Sequence, residues 1–390
     1  MSAVPAAAPA MSAGRDAELR KKPPAPFPLT IITGFLGAGK TSLLNRLLRD
    51  PSAAGALVII NEFGETSLDH LLIERADGDM LVMASGCLCC TIRGDLIATL
   101  EDILRRRDNG RMAAFDRVII ETTGLADPAP VLHTVLLHPY LALRFRLDGV
   151  ITLIDAINGT ATLDAHEEAV KQAAVADRLV ISKTDLLIEH GPLRDLRMRL
   201  RKLNPGAPLL DAAQGEATAA ALLDVGIYDP DGKIPEVRTW LNAEGFAAAK
   251  SHAHSGHGHD INRHDSRISA FCIRHEAPLP PSALDVFIEL LRSAHGANIL
   301  RVKGIVAITG DPSRPLIIQG IQHVFHPPVQ LAAWPDDDHT TRIVFILRDL
   351  KQDFVETLWK AAAGIPSAGT PDRTALTNNP LVPCKGGLFA

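Results

Sequence analysis

A glycine-rich segment near the start of the chain has the spacing of a phosphate-binding loop. Residues 34–41 read Gly-Phe-Leu-Gly-Ala-Gly-Lys-Thr, which matches the pattern G-x-x-x-x-G-K-[ST]. Glycines let the backbone curl so that its N–H groups point at phosphate oxygens, and the N-terminus of a following helix adds a positive dipole. The spacing therefore predicts a nucleotide site formed by Gly34, Gly37, Ala38, Gly39, Lys40, Thr41 and Ser42.

Two residues of this loop and two residues outside it would provide the chemistry expected at the site. The amine of Lys40 can reach the β- and γ-phosphates, and the Thr41 hydroxyl can bind Mg²⁺. Glu121 ends an apolar run and precedes Thr-Thr-Gly, so its carboxylate can hold the Mg²⁺ shell or its water. Gly124 offers a backbone N–H that no side chain obstructs. We predict that Lys40, Thr41, Glu121 and Gly124 are catalytic and that Thr41 and Glu121 hold magnesium.

The choice of base is predicted from residues 182–185, Ser-Lys-Thr-Asp, which follow another apolar run. The Asp185 carboxylate would accept two hydrogen bonds that guanine donates and adenine cannot, and the stem of Lys183 would pack over the base. Ser182 stands where asparagine is more common in this pattern. An ordinary strand-to-helix loop with an aspartate cap is the alternative interpretation. The residues favour GTP over ATP.

Three cysteines within four positions indicate a thiolate site. Cys87, Cys89 and Cys90 follow an apolar run, and Glu65 closes the polar stretch Asn-Glu-Phe-Gly-Glu that follows another. These four side chains can hold one soft or borderline cation. A redox pair would more often be spaced C-x-x-C, and buried apolar cysteines are seldom clustered beside polar residues. Zinc is favoured as the metal and cobalt stays open, because such ligands accept several transition ions.

A histidine-rich stretch provides a second set of potential ligands. Five histidines lie between residues 252 and 264, and from 252 to 259 they alternate with Ala, Ser and Gly. Flexible segments of this composition bind Zn²⁺, Co²⁺ or Ni²⁺ through neutral imidazoles. The alternative is a solvated linker without a role. The predicted accessory ligands are His252, His254, His257 and His259.

Composition excludes several classes of protein. Lys plus Arg is 40 and Asp plus Glu is 45, so the formal net charge of −5 argues against a nucleic-acid partner. No apolar run approaches the roughly 18 residues of a membrane-spanning helix. Five cysteines among 390 residues are too few for a disulfide scaffold. We expect a cytoplasmic protein without a membrane partner, and the residues leave open whether it forms a homodimer.

Apolar runs alternating with helical patterns must position these residues. Near-continuous apolar runs are typical of parallel strands covered on both faces, so the pattern predicts an open α/β sheet. Helical patterns lie after Lys40, after Thr91 and from His166. The predicted strands are Leu29–Thr33, Ala56–Ile60, Met80–Ala84, Arg117–Ile120, Gly149–Ile154 and Arg178–Ile181. The metal and nucleotide residues then follow carboxyl ends of strands on one sheet edge.

From about residue 267 onward, the strand and helix patterns follow a different order. Strand patterns at 299–308 and 316–325 flank a Gly-Asp-Pro turn, which predicts a smaller antiparallel α+β domain. Further strand patterns lie at 267–274 and 342–347, and helical patterns at 282–294 and from 351. The expected organisation is a disordered Ala/Pro-rich tail at 1–28, a nucleotide-binding domain at 29–240, a His-rich linker at 241–266, a second domain at 267–362 and a loose tail at 363–390.

Taken together, these motifs resemble one family, the CobW-like P-loop GTPases, relatives of the nickel-delivery GTPases of urease and hydrogenase maturation. The segments that carry the resemblance are 33–41, 61–65, 86–90, 121–128 and 182–185. Gly-Cys-Leu-Cys-Cys at 86–90 is the most specific of them. The resemblance extends from about Leu29 to Ala362, and it implies a P-loop GTPase domain followed by a CobW C-terminal domain.

The resemblance implies a GTP-dependent metal chaperone or insertase that uses GTP, Mg²⁺ and Zn²⁺ or Co²⁺ and delivers its metal to a client protein. Hydrolysis would switch metal affinity by releasing loops that GTP orders. Cobalt handling in cobalamin biosynthesis or in nitrile hydratase-type activation is one alternative. A zinc buffer without enzymatic activity is another, which the nucleotide motifs oppose. A P-loop kinase or ligase is a third, which the thiolate cluster opposes.

Overall fold

The computed structural model describes residues 25–63, 80–85, 91–189, 191–224 and 267–365, and it describes no side chains at 61–63, 80–85 and 91–95. These residues form two β-sheets with their helices. The strands are β1 (Phe27–Gly34), β2 (Ala56–Phe63), β3 (Met80–Ser85), β4 (Arg117–Glu121), β5 (Phe145–Asp155), β6 (Arg178–Ser182), β7 (Leu209–Asp211), β8 (Ile268–His275), β9 (Ile299–Val306), β10 (Leu316–Ile321), β11 (Val324–Phe325), β12 (Val329–Gln330) and β13 (Thr341–Arg348). The helices are α1 (Lys40–Leu48), α2 (Thr91–Asp108), α3 (Ala129–Leu137), α4 (Pro139–Arg144), α5 (Gly159–Ala165), α6 (Glu167–Val175), α7 (Gly191–Leu203), α8 (Ala219–Leu222), α9 (Pro281–His295) and α10 (Gln352–Ala362).

The first sheet has seven strands in the order β3-β2-β4-β1-β5-β6-β7, and all of its pairings are parallel. All residues of β4 are buried, as are the last six of β1, because helices cover both faces. The predicted strands and α/β class are confirmed. The sequence pattern missed β7, which has only three residues. β1 begins at Phe27, two residues before its predicted start, and pairs there with Phe145.

The second sheet is antiparallel, with the order β11-β10-β9-β13-β8 and β12 beside β10. Helices α9 and α10 pack on it around an aromatic core, in which the Phe287 ring lies 5.0 Å from that of Trp359. This confirms the smaller α+β domain. The predicted strand 316–325 is divided in two, because Gln322 adopts a left-handed φ of 52° and turns the chain between β10 and β11.

The second sheet also packs against the first domain. Leu300, Ile321 and Ile346 lie in the same buried apolar cluster as Val170 and Ala173 of α6. The nucleotide-binding fold and the second sheet therefore share one core. Within the described ranges, every helix is too short or too polar to cross a lipid bilayer.

A buried ion cluster lies within this shared interface. The Asp177 carboxylate, which follows α6, lies 2.6 Å from Arg301 and 2.5 Å from Lys303 of β9. Its other oxygen accepts a hydrogen bond from the Val150 N–H at 2.9 Å. Burial alone would raise the pKa of Asp177, but the two cations hold it well below its usual value. Burial lowers the pKa of Lys303 to about 8.

We expect Asp177→Asn to destabilise the protein by about 3–5 kcal/mol, because it leaves two buried cations without their counter-charge. Urea unfolding measures the loss. Asp349→Asn is the matched control, since Asp349 pairs with Arg267 at the surface and such pairs contribute about 1 kcal/mol or less. Because folding lowers the pKa of Asp177, its stabilisation is complete above about pH 4 and is lost as the pH falls through the folded value. Equal losses in the two variants would contradict this account.

Candidate nucleotide site

The predicted phosphate loop joins β1 to α1, the two central elements of the first domain. Gly34, Gly37 and Gly39 have φ values of 140°, 72° and 92°, which residues with a side chain adopt only under strain. A Cβ on Gly34 would lie 2.5 Å from the Leu153 carbonyl oxygen of β5. The loop thus curls tightly at the carboxyl end of β1, and α1 begins directly after it at Lys40. Successive backbone N–H groups in such a curl form an anion-binding concavity.

The Lys40 side chain lies over this loop. Its Nζ donates hydrogen bonds to the carbonyl oxygens of Gly34 at 3.1 Å and Phe35 at 3.3 Å. The positive charge of Lys40 therefore lies beside the loop backbone that the sequence pattern predicts to bind phosphates. Ala38 is buried within the loop, and its carbonyl oxygen accepts a hydrogen bond from Ser182 at 2.7 Å.

The two residues predicted to hold magnesium contact each other. Thr41 lies in the first turn of α1, and its Oγ1 donates a hydrogen bond to Oε1 of Glu121 at 3.1 Å. Glu121 is 3% exposed and ends β4 opposite Ile32 of β1. Hydroxyl and carboxylate oxygens are hard ligands of the kind that Mg²⁺ takes, so this pair fits the ion.

Gly124 follows β4 and lies against the phosphate loop. A Cβ at this position would be 2.6 Å from the Leu36 nitrogen and 2.8 Å from its Cα, so only glycine allows this approach. The Gly124 carbonyl accepts a hydrogen bond from Nε2 of Gln172 at 3.2 Å. The segment after β4 is thus placed within reach of whatever the loop binds.

The predicted base-recognition segment leaves the end of β6. Ser182 ties it to the phosphate loop through Ala38, and Lys183 adopts a left-handed φ of 61°. The Lys183 amine lies 2.8 Å from Oδ2 of Asp155, the last residue of β5. Burial alone would raise the pKa of Asp155, but hydrogen bonds from Lys183 and from the Ile157 N–H hold it below its usual value. Asp155 therefore positions the lysine stem.

The two remaining residues of this segment have different surroundings. Thr184 is buried, and its hydroxyl donates a hydrogen bond to Oδ1 of Asp211 in β7 at 2.6 Å. Arg197 of α7 holds the other oxygen of Asp211 at 2.8 Å. Asp185 follows in a 3₁₀ turn and is exposed, so its carboxylate is accessible to a base.

Sequence reasoning missed three residues that support this site. Asp155 ends β5 as Glu121 ends β4, so an acidic residue at the end of a predicted run was a usable signal. Asp211 ends β7, a strand that the sequence pattern missed. Gln172 lies within α6, and its sequence neighbours carry no such signal. Its position follows only from how α6 packs.

The predicted metal ligands Cys87, Cys89, Cys90 and Glu65 lie outside the described residues, as do His252, His254, His257 and His259. Among the residues that the structure does describe, no three His, Cys, Asp or Glu side chains are arranged to hold a metal ion. The backbone next to the first set is informative, because β2 and β3 pair in parallel with Phe63 opposite Ser85. Glu65 and Cys87 each come two residues after these paired strand ends.

Comparison with known proteins extends these observations to the whole chain. Residues 28–211 match the family described as CobW/HypB/UreG, nucleotide-binding domain. Residues 268–363 match the family described as Cobalamin synthesis protein cobW C-terminal domain. The two matches cover the two sheets described above.

Two individual relatives match along most of this chain, and a third matches about half of it. Zinc chaperone YjiA of Escherichia coli is 33% identical over 322 residues, which cover 82% of this chain and 94% of that protein. Zinc chaperone CobW of Pseudomonas aeruginosa is 30% identical over 360 residues, 84% of this chain and 89% of its own. Zinc-regulated GTPase metalloprotein activator 1 of Schizosaccharomyces pombe is 36% identical over 211 residues, 52% of this chain and 50% of its own.

A solved structure has the same fold over most of this chain. The crystal structure of Zn(II)-bound YjiA GTPase from E. coli superposes with a TM-score of 0.63 at 28% sequence identity, covering 88% of this chain and 100% of that one. The family resemblance predicted from the motifs is thereby confirmed. With both family matches and near-complete coverage of a relative more than 30% identical, the chain belongs to the CobW family of P-loop GTPases.

Proposed function

We infer that this chain is a GTP-hydrolysing metallochaperone that carries a transition-metal ion, zinc, and delivers it to a client protein. The chain belongs to a family of GTPases, and two relatives that match along most of its length are named zinc chaperones. One structural observation carries the link between nucleotide and metal. The sheet order β3-β2-β4-β1 places the strand ends that lead to Glu65 and Cys87 beside those that lead to Glu121 and the phosphate loop.

Each residue proposed to bind the nucleotide has its own role. The loop backbone binds the phosphates, and Lys40 supplies positive charge to them. Thr41 and Glu121 would hold Mg²⁺, which neutralises charge that develops on the phosphates during transfer. The Gly124 N–H contacts the γ-phosphate. The contact between Thr41 and Glu121 and the approach of Gly124 to Leu36 support these assignments.

Guanine is read by the segment after β6. The exposed Asp185 accepts hydrogen bonds from the base, and Lys183, held by Asp155, packs along it. Ser182 fastens this segment to the phosphate loop through the Ala38 carbonyl, so base and phosphate contacts form as one unit. A carboxylate that pairs with the guanine N–H groups disfavours adenine, because adenine does not present those donors to it.

In the metal half, Cys87, Cys89 and Cys90 with Glu65 form the cargo site. Thiolates and a carboxylate bind zinc well, and cobalt is compatible with the same ligands. The named relatives favour zinc as the cargo. The four linker histidines His252, His254, His257 and His259 are accessory ligands. A cytoplasmic location and assembly into a homodimer stay predictions.

A fixed high-affinity site could not release its cargo, so the mechanism requires two states of metal affinity. GTP orders the segments that leave β2, β3 and β4 at one sheet edge, and hydrolysis releases that order. The client protein then receives the metal from the weaker state.

A second candidate is a cobalt-handling GTPase that serves cobalamin synthesis or the activation of a nitrile hydratase-type metallocentre. The observation in its favour is the description of the matched second domain as that of a cobalamin synthesis protein. Competition between Zn²⁺ and Co²⁺ for the purified chain in its GTP state distinguishes the two. A non-enzymatic zinc buffer is disfavoured by the nucleotide motifs and by the match to a nucleotide-binding domain family.

The proposed function predicts that metal and nucleotide affinities are linked. We expect Zn²⁺ to bind more tightly with a non-hydrolysable GTP analogue than with GDP, by about fivefold or more, and linkage requires the metal to change analogue affinity by the same factor. Cys89→Ser should remove this coupling and leave metal-free GTP binding nearly unchanged. Zinc titrations of both proteins in both nucleotide states measure it.

Cys272→Ser is the matched control for that experiment, since Cys272 lies on β8 of the second sheet and belongs to neither predicted site. It should bind zinc in both states as the wild type does. Equal wild-type zinc affinities with GDP and with the analogue would refute the switch, whichever metal the site carries.

A further inference from the structure

The segment from Gly124 to Asp127, which we call the β4–α3 segment, is held from three directions. On the first side it meets the phosphate loop, where the Gly124 Cα lies so close to Leu36 that no side chain would fit. Any displacement of Gly124 by a γ-phosphate must therefore move the whole β4–α3 segment. The contacts on its other two sides decide how easily that movement occurs.

The second contact comes from α6. Gln172 is fully buried, and its Nε2 donates hydrogen bonds to the carbonyl oxygens of Gly124 at 3.2 Å and Ala126 at 2.9 Å. Two carbonyl acceptors require the amide NH₂ group on this side, so the orientation of the amide follows from chemistry. One buried side chain thus fixes two carbonyls of the β4–α3 segment.

The third contact comes from the second domain. Gln322, in the turn between β10 and β11, donates from Nε2 to Oδ2 of Asp127 at 3.4 Å. The other oxygen of Asp127 accepts from the Ala129 N–H at the start of α3 at 2.9 Å. In the same turn region, the Ile321 carbonyl lies 3.3 Å from Nε2 of the buried His133 on α3. The turn therefore contacts both the β4–α3 segment and the helix that follows it.

The second domain also contacts both ends of α6, the helix that carries Gln172. Glu167, the first residue of α6, is paired with Arg348 of β13. Asp177, just after the end of α6, is paired with Arg301 and Lys303 of β9. Helix α6 is thus fastened at both ends to the second sheet, while its middle holds the β4–α3 segment.

We propose that the second domain regulates the GTPase site through the β4–α3 segment, with Gln172 and Gln322 as the positioning residues that hold it in the arrangement described here. This inference rests on the proposed function, because it takes Gly124 to respond to the γ-phosphate. Packed interfaces pass between discrete arrangements instead of deforming continuously, so a small shift of Gly124 changes the contact at the β10–β11 turn. The contacts of the second domain then differ between the GDP and GTP states, and by linkage those contacts alter GTP affinity.

The direction of the effect follows from the geometry. Gln172 and Gln322 stabilise the arrangement in which Gly124 lies on Leu36, and a γ-phosphate that displaces Gly124 must weaken both hydrogen bonds. Removing either side chain should therefore favour the GTP state. Gln322→Ala and Gln172→Leu are expected to raise affinity for a non-hydrolysable GTP analogue relative to GDP by about threefold to tenfold, in the same direction.

The experiment measures both dissociation constants for the full chain with fluorescent GDP and a fluorescent GTP analogue, and compares their ratio. Gln330→Ala is the matched control for the turn, since Gln330 is exposed on β12 and its side chain donates to the Arg314 carbonyl within the second domain. Thr341→Val is the control for a lost buried hydrogen bond, since the Thr341 hydroxyl accepts from the Ala307 N–H within the second domain. Both controls should leave the ratio at its wild-type value.

The outcomes separate this inference from the proposed function. A ratio that shifts toward the GTP analogue in Gln322→Ala and Gln172→Leu, with unchanged controls, supports the regulatory role. An unchanged or oppositely shifted ratio, in variants that still bind both nucleotides, overturns it and leaves the proposed function standing. Wild-type protein that binds no guanine nucleotide would overturn the proposed function instead. Gln322 is only half-buried and lies in a turn, so its variant tests the inference even if Gln172→Leu fails to fold.

Discussion

Replacing Lys40 with alanine is expected to abolish measurable GTP hydrolysis. The amine is the positive charge that the structure holds at the phosphate loop, through the carbonyls of Gly34 and Phe35. Removing one preorganised group that stabilises developing charge lowers turnover by about 10²–10³-fold. Phosphate release under saturating GTP measures the effect. The fold should survive, because the lost hydrogen bonds are only partly buried and together contribute about 1–3 kcal/mol.

Lys202→Ala provides the matched control, because Lys202 is exposed at the end of α7 and belongs to neither predicted site. It should hydrolyse GTP at the wild-type rate. Urea unfolding of Lys40→Ala confirms that lost activity does not reflect lost structure. Turnover at the wild-type rate in folded Lys40→Ala would rule out this loop as the catalytic site.

Replacing Asp185 with asparagine is expected to change which nucleotide binds. The carboxylate accepts hydrogen bonds from the guanine N–H groups, whereas the asparagine amide also presents donors, which suit the extra carbonyl of xanthine. We expect affinity for GTP to fall by about 100-fold and affinity for xanthosine triphosphate to rise, since mispaired polar groups cost about 1–3 kcal/mol each. Calorimetric titration with GTP, XTP and ATP measures the three affinities.

Asp195→Asn is the control here, because Asp195 is exposed on α7 beside Arg194 and belongs to neither predicted site. It should retain the wild-type preference for GTP. The guanine assignment itself fails if the wild-type chain binds ATP as tightly as GTP. Unchanged nucleotide preference in Asp185→Asn would show that another group reads the base.

Much of the fold could be predicted because its signals are local. The runs predicted within β1, β4, β5 and β6 are mostly apolar, as is typical of strands covered on both faces. β7 has three residues, too few for a recognisable run. The division of the 316–325 strand depends on the left-handed φ of Gln322, and a glutamine in the sequence does not predict that conformation.

The sequence by itself determined the family and predicted the phosphate loop, because the relevant chemistry lies in short runs whose glycines and polar residues act together. Tertiary packing decided which partners complete the site. Lys183 meets Asp155 across 28 positions, Gln172 meets Gly124 across 48, and Gln322 meets Asp127 across 195. No local pattern encodes such pairs, since they form only when strands order themselves in a sheet and helices pack across it. The control of the β4–α3 segment by the second domain thus belongs to the folded molecule alone.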